Sequence, residues 1–151
     1  MKDVVVKITG KTLSSIPKPP DDSVDEPIEF ITEGKMMSRG NITQISYEET
    51  QLSGTEGCTT SITLTPNKMK MKRFGGDLPE ETVMEFEKGK RYNGRYETPY
   101  GPIDMEILTS KVSDLMQIDD DSKKCSIEYA ISLKGFLEAR KAIDIEIHEK
   151  H

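Results

Sequence analysis

Apolar and polar residues alternate with a period of two along most of this chain. That spacing puts successive side chains on opposite faces of an extended strand. Val4, Val6 and Ile8 alternate with Val5, Lys7 and Thr9, and Gly10 inside the pattern marks a bulge or a tight bend. The stretch 14–23 then reads as a loop, because Pro17, Pro19, Pro20 and two aspartates cannot pair into a sheet. A loop of this length is either mobile or functional.

Ile28, Phe30 and Thr32 begin a second strand that runs toward Met36, and Arg39-Gly40-Asn41 turns the chain. Ile42 to Glu48 is the third strand, with Ile45 and Tyr47 on one face. After a turn over 53–57, Cys58 to Thr65 is rich in β-branched residues, with Ile62 and Leu64 on the buried side. Pro66-Asn67 closes a hairpin into Lys68–Arg73, where Met69 and Met71 face in and Lys68, Lys70 and Lys72 face out. Asp77-Leu78-Pro79-Glu80 has the residues of a helix start, but Thr82, Met84 and Phe86 then alternate with glutamates. A strand is the expectation there, entered by at most one helical turn.

Tyr92, Gly94 and Tyr96 share one face of the next strand; Arg91, Asn93, Arg95 and Glu97 share the other. Thr98-Pro99-Tyr100-Gly101 is a turn, with Pro second and Gly fourth. A long strand follows from Ile103 to Val112, then a turn at Asp119–Ser122. Cys125, Ile127, Tyr129, Ile131 and Leu133 give the cleanest alternation, and a last strand spans 137–148. About ten strands joined by short turns predict an all-β, antiparallel fold with little helix. Such a run needs two packed sheets or a closed barrel to remove its edges, and the long last strands favour a barrel, here one of roughly eight to ten strands. Nothing marks a second domain, so residues 1–151 are expected to form a single barrel domain.

Composition narrows the classes. Asp and Glu number 27 against 21 Lys and Arg, a formal net charge of −6. That balance argues against nucleic acid, which needs concentrated cations. No apolar run reaches the roughly 18–20 residues of a membrane helix, so no membrane partner is expected. The N-terminal apolar stretch Val4-Val5-Val6 is three residues long, too short for a signal-peptide core. Cys58 and Cys125 form no CxxC and have no neighbouring His, so the expectation is two reduced, largely buried thiols in a cytoplasmic protein.

Several stretches, above all Tyr96-Glu97-Thr98-Pro99-Tyr100-Gly101, resemble the YwiB-like family of small uncharacterised Firmicute proteins. Phe30-Ile31-Thr32-Glu33-Gly34, Ile45 to Glu49, Arg73-x-Gly75, Met84-x-Phe86-x-x-Gly89, Tyr129 to Leu133 and Ile143 to Ile147 fit it in order. The resemblance implies a calycin-like, lipocalin-like barrel and a domain of unknown function; it implies no activity. The chain has no Trp and so lacks the Gly-x-Trp of true lipocalins.

The candidate binding residues are Arg73, Tyr92, Tyr96 and Tyr100. If Tyr92 and Tyr96 point inward, their rings line a pocket in which Gly94 leaves room, and Arg73 supplies a positive end for a carboxylate or phosphate. The same tyrosines could instead fill the core. Glu81, Glu85 and Glu87, and Asp104 and Glu106, oppose apolar faces and are expected to point to water. Asp119-Asp120-Asp121 lacks the ligand pattern of a calcium loop, and His148 and His151 lie on opposite strand faces, so no metal is expected. The lysines at 68, 70 and 72 read as a charged edge strand protecting itself. No nucleophile elbow, phosphate loop or dinucleotide fingerprint is present, and no cofactor is expected. Three readings stand: a module that binds a small apolar or anionic molecule, a protein-interaction domain with a filled barrel, and a cofactor-free lyase working with Tyr, Arg and Glu. The residues favour a non-enzyme. An exposed strand would also permit a homodimer.

Overall fold

Each alternating stretch becomes a strand because one of its two faces can be buried against the opposite wall. The computed structural model describes residues 1–16, 28–49, 57–76, 78, 80–98, 100–113 and 115–150. Among the described residues there are eleven strands: β1 (Lys2–Ile16), β2 (Ile28–Arg39), β3 (Ile42–Glu48), β4 (Cys58–Thr65), β5 (Lys68–Gly75) and β6 (Thr82–Glu87) come first. They are followed by β7 (Arg91–Thr98), β8 (Gly101–Val112), β9 (Met116–Asp119), β10 (Ser122–Leu133) and β11 (Leu137–Glu149). The described residues contain no helix, so none is long and apolar enough to cross a membrane.

The strands make one antiparallel sheet in the order β6-β5-β4-β3-β2-β1-β11-β10-β8-β7, with β9 added beside β10. The long β1 and β11 pair at its middle, Val6 opposite Ile147 and Ile8 opposite Ile145. The sheet's two ends, β6 and β7, are neighbours in sequence and meet in space. The Glu97 amide donates to Thr82 Oγ1 at 2.9 Å, the Gly89 amide to the Thr109 carbonyl at 2.9 Å, and Lys88 bridges Thr109 in parallel. The result is an all-β barrel that is nearly closed. Its core is the inward half of each alternation: Val4, Val6, Ile45, Ile62, Met69, Phe86, Ile107, Ile127, Ile145 and Ile147 are all fully buried.

Four details differ from the sequence expectations. β1 continues to Ile16, past the point where a loop was expected; residues 17–23 of that loop lie outside the described residues. The irregularity expected at Gly10 falls instead between Thr12 and Ser14, opposite Lys141 and Arg140, while Gly10 keeps ordinary register with Ile28 and Ile143. β9 carried no signal because all four of its residues are exposed, and a strand with two wet faces does not alternate. The lysines at 68, 70 and 72 do face outward, but β5 lies between β4 and β6 and is no edge. Lys68 reaches Glu85 on β6 at 2.7 Å. The turn at 53–56, Asp77, Pro79, Pro99 and His151 lie outside the described residues.

Gly34 fixes how closely β2 and β3 approach. A Cβ there would stand 2.6 Å from the Ser46 carbonyl oxygen and 3.3 Å from the Tyr47 Cβ. Backbone must move to admit it. Gly34→Ala is therefore expected to destabilise the barrel by about 1–3 kcal/mol, as overpacking does. A thermal melt at the wild-type midpoint would show that no such close approach exists.

Candidate functional site

The barrel interior is not completely filled. A cavity of about 470 Å³, partly open to solvent, lies among the inner faces of β1, β2, β3, β5, β6, β7, β10 and β11. Most of its wall is apolar, from Ile8, Phe30, Met71, Met84, Phe86 and Ile145 among others. Alternation explains the wall: Met71 and Met84 sit opposite each other on β5 and β6 and both point in. Methionine leaves an adaptable surface, since its thioether chain fills irregular gaps.

Polar groups enter this wall at few points. Arg73 follows Met69 and Met71 on the inward face of β5, as its spacing implied. Its Nη2 lies 3.5 Å from Glu49 Oε1, and Thr60 Oγ1 donates to the same carboxylate oxygen. The Glu49 side chain is only 1% exposed and Arg73 is 21% exposed, so this is a mostly desolvated ion pair. Glu49 Oε2 and Arg73 Nε are buried with no hydrogen-bond partner among the described residues. Buried polar atoms without partners are uncommon and costly. Three tyrosines share the cavity wall with the pair. Tyr47 lines the cavity, Tyr129 stacks edge-on against Phe86 with ring centroids 4.8 Å apart, and Tyr96 comes in from β7. Burial, reinforced by the Glu49 carboxylate, holds the Tyr47 hydroxyl well above its ordinary range, with Arg73 pulling the other way. Burial pushes Tyr129 up to about 12, with Tyr96 adding to it and Arg73 again opposing. At neutral pH the Tyr47 and Tyr129 hydroxyls are therefore neutral.

The sequence candidates separate. Arg73 and Tyr96 line the cavity. Tyr92 packs against the core but lies outside the cavity wall. Its ring covers Gly94: a Cβ at Gly94 would stand 2.8 Å from Tyr92 Cε2. The room expected there is taken by the neighbouring ring, not left for a ligand. Tyr100 is fully exposed at its turn. Arg73, expected to offer a free positive end, already has its counter-charge in Glu49. Glu97, on the strand face opposite Tyr92 and Tyr96, is also buried, where β7 folds against β6.

Sequence reading passed over Glu49, Thr60 and Lys141. The signal was there for two of them. Ile45, Tyr47 and Glu49 continue one face, and Lys141 interrupts the inward series Leu137, Ala139, Ile143, Ile145. Other polar pairs lie between strands, away from the cavity wall. Ser122 Oγ lies 2.7 Å from His148 Nδ1, across the β10–β11 pair. No group of three or more His, Cys, Asp or Glu among the described residues could hold a metal. Cys58 and Cys125 are free and buried, as expected, and burial, with Asp144 adding to it, pushes Cys125 up to about 12.

These buried acids predict alkaline lability. Tyr47, Tyr129 and Cys125 titrate at higher pH folded than unfolded, so their stability is intact below about pH 9 and is lost as pH rises toward 12. In that window each contributes a slope of about 1.4 kcal/mol per pH unit. The melting temperature is expected to fall from pH 9 to 11.5, and Tyr129→Phe to flatten that fall. An identical slope in the variant would contradict the burial of the hydroxyl.

A family model described as "Domain of unknown function (DUF1934)" matches residues 12–145. Among solved structures, the chain resembles the ywiB protein from Bacillus subtilis, with TM-score 0.77 and 17% sequence identity. The match covers 99% of this chain and 93% of that one. At that identity the likeness is one of fold. No curated protein matches the sequence.

Proposed function

Because the chain belongs to the DUF1934 family, a domain of unknown function, we propose a function from its interior: the barrel is a container that binds one small, largely apolar molecule. The observation that carries this reading is the cavity of about 470 Å³. Binding pockets for small molecules run from roughly 300 to 1,000 Å³, with apolar walls and few convergent polar groups. This wall has that character, and a barrel core with no role beyond packing is close-packed, with few voids larger than a water. Among the sequence candidates, Arg73 and Tyr96 stay in the site; Glu49, Tyr47, Tyr129 and Lys141 join them.

Native mass spectrometry of gently purified protein tests the reading. The expected result is a reproducible extra mass that leaves on denaturation, or a one-to-one adduct after incubation with a twelve-carbon amphiphile such as dodecanoate or dodecanamide. The bare polypeptide mass in every sample would overturn it.

A further inference from the structure

The charges in the cavity wall do not cancel. Glu49 and Arg73 neutralise each other at 3.5 Å. The third charged side chain of the wall is Lys141. It lies on β11 in the same phase as Ala139, Ile143 and Ile145, the strand's inward face, and it is half-buried. No salt bridge involves it among the described residues. A cation on an apolar wall with no counter-charge beside it is a place where a bound anion gains an ion pair. The sheet is also irregular beside it: the β1–β11 register shifts between Thr12, the partner of Lys141, and Ser14. Bulges concentrate at sheet edges, barrel rims and binding sites, where they re-aim a side chain.

We infer that Lys141 is the charge-recognising residue of the cavity and that the ligand is a monoanionic amphiphile, with an apolar body in the barrel and a carboxylate-like head on the Lys141 ammonium. This rests on the container reading above and specifies the ligand's class. Arg73 is not the anion site, because an anion at its guanidinium would meet the Glu49 carboxylate already there. The protein's net charge of −6 opposes anions generally, so a preference for them must come from a local cation. An apolar chain with a single terminal negative charge matches this wall; a phosphate dianion or a nucleotide does not.

Dodecanoate, dodecanamide and dodecylammonium share an apolar chain and differ at the head. Their dissociation constants at pH 7.5, measured by calorimetry on the full chain, test the inference. Dodecanoate is expected to bind at least about tenfold tighter than the amide, and the ammonium weakest. Lys141→Met should remove the preference for dodecanoate over the amide while leaving amide binding within about threefold. Lys141→Glu should reverse the order in favour of dodecylammonium. Equal binding of acid and amide, or an acid preference that survives Lys141→Met, would overturn the inference and leave the container reading standing. Failure of all three probes to bind the wild-type protein would count against both. Should Lys141→Met not fold, Lys141→Gln gives the same comparison.

Discussion

Phe86→Ala is expected to be the most damaging single truncation in the barrel, at about 3–5 kcal/mol. Phe86 is 0% exposed, and its ring meets the Tyr129 ring at 4.8 Å and 60°. It also walls the cavity, so removing it enlarges a space that already exists. Neighbours cannot collapse inward to fill that space, since hydrogen-bonded strands hold them on all sides. The cost should therefore fall toward the upper part of the range. For a chain of this length each kcal/mol lowers the melting temperature by roughly 2–4 °C. The same truncation at Phe136, which is 67% exposed, should change stability by no more than about 0.5 kcal/mol. Equal effects at the two positions would contradict the inward placement of β6.

The second large effect is electrostatic. Glu49→Ala takes the counter-charge from Arg73 and the acceptor from Thr60. An ion left uncompensated in a desolvated site costs several kcal/mol, and about 2–4 is expected here because Arg73 retains some solvent contact. Arg73→Met in the same background should recover part of the loss, because it removes the stranded charge. The coupling energy from the double-mutant cycle should be about 1–3 kcal/mol. Additive losses would mean that the two side chains do not interact.

Much of the barrel was legible in the chain because its strands are buried on one face. Val4-Val6-Ile8 and Cys125-Ile127-Tyr129-Ile131 state which residues go in, and the structure buries them all. Tight turns such as Pro66-Asn67 announced antiparallel pairing, and Asn67 takes the left-handed backbone that such turns need. β9 was illegible for the complementary reason, being wet on both faces. The site was read only in part. Arg73 was singled out as a cation near the tyrosines, and it does fall in phase with the inward Met69 and Met71. Glu49 and Lys141 were missed because a charged residue at an inward position looks like the end of a strand or a lapse in its pattern. Tyr92 and Tyr96 share a face in sequence, but which of them reaches the cavity depends on how the Tyr92 ring folds over Gly94. That is a packing outcome, which periodicity does not encode.

Methyl-resolved NMR during titration with dodecanoate tests the central claim most directly. If the barrel is a container, the methyl signals of Met71, Met84 and Ile145 inside it shift together and saturate at one equivalent. Those of Met116 and Ile118, exposed on β9, stay where they are. Shifts confined to the outward methyls, or none at all up to millimolar ligand, would contradict the account.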